Sequence, residues 1–243
     1  MRDEHRRFWT RSDKVQQDEP FVEEVSNRDG LLYVVLFNGG KQDSGFSNDM
    51  YNMGYSFLES GVVANNMFTL GGGHKLGIPV MPATTSDLES TMDSIRERAT
   101  SNDRLLVYVT NRGSTRDGQS MLMANDGKIG EEQFAEIMKD LPVNFALFFF
   151  AQAYGGGFAE RMGHGRNIGV SASAWDEVSL GRERDLPSSP PIQGETFTNY
   201  FLPKLVKPGV SVESAFDMAV RRNNSNWGIR GVHDKIGKVV FKP

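Results

Sequence analysis

Two short stretches of this chain gather the residue types that do chemistry: Thr110-Asn111-Arg112-Gly113-Ser114 and Gln152-Ala153-Tyr154-Gly155-Gly156-Gly157-Phe158. A guanidinium such as Arg112 holds a carboxylate or phosphate through paired N–H donors, and glycine lets backbone amides come close to a ligand, so Arg112 with the Gly155–Gly157 amides could form an anion pocket. The simpler uses of the same residues are an ion pair between Arg112 and a neighbouring acid, Asp176 or Glu177 among them, and a plain strand-to-helix turn at the glycines. Thr110 and Ser114 offer hydroxyls with no base beside them, and no G-x-S-x-G elbow occurs, which speaks against a serine hydrolase. The other glycine run, Gly71-Gly72-Gly73, lacks both the Lys-Ser/Thr of a phosphate-binding loop and dinucleotide spacing. His164, in Met162-Gly163-His164-Gly165, lies close enough in sequence to the second stretch to be a rival base, although a solvated surface histidine is the simpler reading.

Composition narrows the chemistry further. The chain has no cysteine, so disulfides, thiolate metal sites and thiol catalysis are all excluded. Its four histidines, His5, His74, His164 and His233, show no metal-ligand spacing, and no metal or cofactor is expected. A net charge of −4 with no basic block gives no electrostatic footprint for nucleic acid. No stretch of 18 apolar residues occurs and the first residues have no apolar core, so no membrane role is expected and the chain reads as cytoplasmic. The 11 methionines fall mostly at core-like positions.

Both stretches follow runs that must be buried strands: Leu105–Thr110 (LLVYVT) and Phe145–Phe150 (FALFFF). Continuous apolar runs rich in β-branched and aromatic residues suit parallel strands covered on both faces, as does Leu31–Phe37 (LLYVVLF), which ends at Asn38-Gly39-Gly40. Between them, helices are expected over Met50–Ser60, from a Ser86 cap with Glu89 three residues on through Ile95, and over Gly130–Lys139. A strand within Val62–Leu70, a loop over Gly71–Pro82 and a small hairpin arm around Met121–Ala124 and Asn125-Asp126-Gly127 complete this half. Ile168–Ala172 reads as a strand, Arg182–Gly194 as an exposed proline-rich loop, Thr196–Leu205 and Val212–Arg222 as helices, and Lys238–Lys242 as a last strand. The alternation predicts a three-layer α/β/α fold with a mostly parallel central sheet over residues 31–243, preceded by a polar extension over residues 1–30. In such sheets ligands bind beyond the carboxyl ends of the strands, where strand order reverses, and both stretches are expected there.

The ordered series YVTNRGS, FFFAQAYGGGF, NIGVSASAWDEVSLG and ETFTNYFL resembles the caspase and legumain superfamily of cysteine peptidases, over roughly Leu31 to Val220. In that family one strand ends in a His-Gly-Ser-type turn, and the next in an acidic or Gln residue, the nucleophilic Cys and a small turn. The resemblance puts Arg112-Gly113-Ser114 and Gln152-Ala153-Tyr154-Gly155 at those turns, Asn38 at an Asn of legumain-like members, and Asp176-Glu177 near the substrate-binding strand. It also allows a homodimer through the last strand.

The two residues that carry the family's chemistry are missing. A methyl group at Ala153 cannot attack a carbonyl, and a guanidinium at Arg112 cannot serve as a general base. The resemblance therefore implies an inactive pseudo-peptidase that binds or scaffolds a protein or peptide through the relict cleft. Two alternatives stay open: an enzyme with changed, non-peptidase chemistry on a small anionic ligand around Arg112, and an engineered inactive form of a cysteine peptidase. Against the last stand the absence of every other cysteine and the arginine at the histidine position. The candidate ligand-binding residues are Asn38, Arg112, Gly113, Ser114, Gln152, Tyr154, Gly155, His164, Asp176 and Glu177, with Arg112 and Ala153 as the relict dyad positions.

Overall fold

In the computed structural model, residues 30–40, 44–72, 76–173, 196–227 and 239–240 are described. The polar extension up to residue 29, His74, the proline-rich segment, Asp176 and Glu177 lie outside the described residues. In chain order the strands are Leu32–Phe37 (β1), Met67–Leu70 (β2), Val80–Met81 (β3), Arg104–Val109 (β4), Ser114–Arg116 (β5), Gln119–Ala124 (β6), Gly127–Gly130 (β7), Phe145–Phe150 (β8), Ile168–Ser171 (β9) and Val239–Val240 (β10). The helices are Ser44–Glu59 (α1), Thr85–Arg98 (α2), Glu131–Ile137 (α3), Gly156–Met162 (α4), Thr196–Leu205 (α5) and Val212–Trp227 (α6).

The central sheet runs β10-β9-β8-β4-β1-β2-β3, with β1, β2, β3, β4, β8 and β9 parallel and β10 antiparallel at one edge. Alternate residues of each strand feed opposite faces, as a period of two requires. From β1, Val34 and Leu36 join α1, α5 and α6 through Met50, Phe57, Phe201, Leu205 and Ala215. Tyr33, Val35 and Phe37 join α2, α3 and α4 through Leu88, Ile95, Phe134 and Phe158. Strands covered on both faces need apolar residues at every position, which is why LYVVLF and FALFFF are unbroken. Among the described residues, no helix is long and apolar enough to cross a membrane.

The chain differs from the expectation in four places, one being that the stretch Gly71–Pro82, expected as loop, ends in the short edge strand β3, which pairs with β2 through Thr69 and Leu70. Helix α1 begins at Ser44, six residues before the first apolar position read as helical, because Ser44, Gly45, Ser47, Asn48 and Asp49 around Phe46 give its start no apolar periodicity. Helix α2 is capped by Thr84, whose hydroxyl accepts from the Asp87 N–H at 3.0 Å, rather than by Ser86. The Asp126 carboxylate fixes this earlier start by accepting from the Thr85 N–H at 3.1 Å. The hairpin arm is a three-stranded antiparallel sheet, β5-β6-β7, whose inward residues Leu122, Ala124 and Ile129 are buried in the second core.

At the amino ends of the strands the polar groups are consumed by the fold. Asp103, 4% exposed, accepts from the Leu31 N–H at 2.6 Å through one oxygen. Through the other it accepts from the Thr100 N–H at 2.7 Å and the Thr100 hydroxyl at 3.1 Å. This carboxylate ties the start of β1 to the turn that launches β4.

Candidate functional site

Strands β4 and β8 lie side by side with Val109 opposite Phe150, and the Ala151 N–H donates to the Val109 carbonyl at 2.8 Å. The turns that follow are therefore brought together by the ladder. They touch at Gly113: a β-carbon there would collide with the Ala153 carbonyl, and would stand 3.2 Å from Gln152 Nε2. Glycine is needed here for space alone, since its φ is not positive. Arg112-Gly113 and Gln152-Ala153 thus form one junction, with Arg112 exposed and Gly113, Ser114, Ala153 and Tyr154 half-buried.

The loop after β8 is held from the far side by β9. Ser173, fully buried, donates from its hydroxyl to the Gln152 carbonyl at 2.8 Å and accepts from the Gly155 N–H at 3.3 Å. Its own carbonyl accepts from the Ser171 hydroxyl at 2.8 Å. Below, Phe150 stacks on Phe158 at 5.0 Å and both meet the edge of Phe134, so the loop stands on an aromatic base. Between these supports Tyr154 adopts a φ of 59°, a left-handed conformation that a large side chain rarely takes. At the start of α4, Gly157 leaves room for Glu131, whose carboxylate accepts from the Ser120 N–H at 2.5 Å.

The two-residue alternation sorts the polar residues at this end onto two sides. Toward α1 go Asn38 and Thr110. Asn38 is 3% exposed; its N–H donates to the Leu70 carbonyl at 2.9 Å and its side-chain oxygen accepts from the Gly40 N–H at 3.0 Å. The Thr110 hydroxyl donates to Asp49 of α1 at 3.1 Å, with both residues buried. Toward the three-stranded sheet go Asn111 and Gln152. Asn111 donates to the Met123 carbonyl at 3.0 Å, but its side-chain oxygen meets no partner among the described residues. The same holds for both ends of the Gln152 carboxamide and for the hydroxyls of Ser114 and Ser120. A buried donor or acceptor without a partner is uncommon and calls for an explanation.

Of the predicted set, the structure brings together Arg112, Gly113, Ser114, Gln152, Ala153, Tyr154 and Gly155, and places Asn38 one strand away beyond β4. It does not bring His164 to them. Helix α4 carries the chain about 10 Å, at 1.5 Å per residue, so exposed His164 lies near the amino end of the sheet. There its neighbour Arg166 bonds the Asn144 side chain at 3.4 Å. Asp176 and Glu177 fall outside the described residues. Strand order reverses between β1 and β4, so the turn after β4 borders that point as expected, while the loop after β8 sits one strand further out, a correction to its expected placement. Asp49, Asn111, Ser120 and Ser173 were not among the predicted residues. Among the described residues no group of three or more His, Asp or Glu could hold a metal ion. The chain matches no family model, and no curated protein is detectably similar to it.

Proposed function

We propose that the chain is a catalytically inactive, caspase/legumain-like pseudo-peptidase that holds a protein or peptide at the junction of the β4 and β8 turns. The observation that carries this reading is the direct contact of Gly113 with Ala153 at the carboxyl ends of adjacent parallel strands. That arrangement would set a nucleophile beside its base, yet the two positions hold a methyl group and a guanidinium. The buried, unpartnered groups of Gln152 and Ser114 at the same junction support a binding role, because they leave hydrogen-bonding capacity that the described residues do not use.

The alternative of new chemistry on a small anion around Arg112 draws less support. An electrostatic clamp acts best where water is excluded, and Arg112 is exposed. The test takes the unmodified protein and the double variant Arg112→His with Ala153→Cys through a pool of acetylated, amidated short peptides, scoring both retention and cleavage. Retention without cleavage by the unmodified protein, with cleavage appearing in the double variant, is the expected outcome. Turnover of any peptide by the unmodified protein rejects the proposal.

A further inference from the structure

The three-stranded sheet contains two Asp-Gly pairs, and the fold treats them differently. Asp117-Gly118 is the whole loop between β5 and β6, because Arg116 pairs with Gln119. Its φ values of 52° and 79° are both positive, as a type I′ hairpin turn requires. The tip stands clear of the fold: the Asp117 side chain is 91% exposed, and its one ion pair, to the exposed Arg116, is 3.6 Å long. A β-carbon at Gly118 would meet nothing within 4 Å among the described residues. Asp126 lies in the next turn, before Gly127 at the start of β7, and its carboxylate is tied down. It accepts from the Thr85 N–H through both oxygens at 3.1 Å and from the Thr85 hydroxyl at 3.3 Å.

From this contrast we infer that Asp117 is a site of spontaneous isomerisation to isoaspartate, and that Thr85 shields Asp126 from the same reaction. The backbone nitrogen of Gly118 attacks the side-chain carboxyl carbon of Asp117 in its acid form. The N–C bond forms, the C–OH bond breaks, and the hydroxyl leaves with the nitrogen's proton as water, closing a five-membered succinimide. Water then opens the ring at either carbonyl. Opening at the main-chain carbonyl leaves the chain running through the side-chain carboxyl, as isoaspartate with a free α-carboxylate. The net reaction changes neither mass nor charge and needs no co-reactant but water. Glycine has no side chain to crowd its nitrogen, and ring closure requires a swing of the Asp117 ψ, which nothing packed on the tip opposes. Asp126 must first give up its bonds to Thr85. The product carries one extra main-chain atom in a two-residue loop, and loop length sets the register of a hairpin. Strand β5 has three paired residues, and the first of them, Ser114, follows Gly113 at the junction of the β4 and β8 turns. Isomerisation at the tip therefore loosens the strand that leads out of that junction.

The experiment incubates the folded full chain in mildly acidic buffer beside the same chain unfolded in urea. Isoaspartate is quantified by an isoaspartyl methyltransferase and assigned by peptide mapping, which also separates the third such pair, Asp29-Gly30, whose Asp29 lies outside the described residues. In the folded chain Asp117 is expected to isomerise about tenfold faster than Asp126 or more, a factor equivalent to about 1.4 kcal/mol and on the scale of the bonds Asp126 must break. In urea the two rates should converge to within about twofold, because both are then plain Asp-Gly pairs. Asp117→Glu, which would have to close a six-membered ring, should remove the label from that position. The isomerised fraction, separated by chromatography, should exchange its β5 amide hydrogens faster than the native fraction. Equal rates at Asp117 and Asp126 in the folded chain, or isomerisation of Asp117 only after unfolding, overturn the inference. A tenfold gap that persists in urea assigns the difference to the neighbouring sequence and overturns the shielding by Thr85, and unchanged exchange in β5 overturns the consequence for the junction.

Discussion

The two ends of the central sheet differ in how completely their buried polar residues are paired. At the amino end, both oxygens of Asp103 are spent on the Leu31 and Thr100 donors, and the Asn144 N–H closes on the Asp103 carbonyl at 2.7 Å. At the carboxyl end, Asn111, Ser114, Ser120 and Gln152 bury polar atoms that bond nothing among the described residues. Both ends are enclosed, so solvent exposure does not explain the difference. Polar groups that a fold needs are paired by the fold, and groups left unpaired in a buried setting point to a partner outside it. The comparison therefore rests on hydrogen-bond accounting, which finds unspent capacity at the carboxyl end among the described residues.

The comparison is broken most severely at the amino end. Asp103→Ala removes three bonds to a carboxylate and is expected to cost about 3 kcal/mol or more, since a hydrogen bond to a charged group contributes about 1.5–3 kcal/mol net and bonds that share one carboxylate do not add in full. Urea denaturation should show a lower midpoint, and a change below about 1 kcal/mol would dissolve the contrast between the ends. Next in size, Gly113→Ala forces a methyl group against the Ala153 carbonyl and is expected to cost about 1–3 kcal/mol, the range for overpacking. Because backbone is what must move, peptide retention should fall with it; a variant of wild-type stability would mean that the turns are not in contact. The smallest effect lies away from both ends, on the exposed flank of α1. There the negative charge of Glu59 pushes the Tyr55 hydroxyl above its ordinary value of 10.0. A folded-state shift of this sign is stabilising below the unfolded pKa and is lost as pH rises through the folded one, so stability should decline only in strongly alkaline solution. Ultraviolet titration of Tyr55 should move down in Glu59→Gln, and no movement would place the cause elsewhere.

Much of this arrangement is legible in the residues themselves, and the limits of legibility have physical causes. FALFFF is β8 from Phe145 to Phe150, and the helix expected over Thr196–Leu205 has those bounds, because each is specified by its own apolar pattern. The start of α2 is not local in this sense. Thr84-Thr85-Ser86-Asp87-Leu88-Glu89 contains two overlapping capping patterns, and the choice between them is made by Asp126, 41 residues away. Asp49 escapes sequence reading for the same reason. In Ser47-Asn48-Asp49-Met50 it looks like a helix-start acid, and only Thr110, 61 residues on, reveals it as a buried acceptor at the site end. His164 errs the other way: eleven residues from Ala153 is close along the chain, but the intervening helix carries it to the wrong end of the sheet. The glycine turn and the two strand ends could be read as one site, but whether a polar side chain there is paired depends on contacts that no spacing records.

Tyr154 bears on the same question through the backbone. Among the described residues eight glycines take positive φ, and the non-glycine residues that do so are Asp117, Asp140 and Tyr154. Aspartate tolerates that conformation because its short side chain can bond the local backbone, whereas a tyrosine has no such relief. A chain that supplies glycine at eight other left-handed positions has kept a phenol at this one, beside Ala153. The turn alone would be better served by glycine, so what this position adds is an aromatic ring and a hydroxyl at the seam between the β4 and β8 turns.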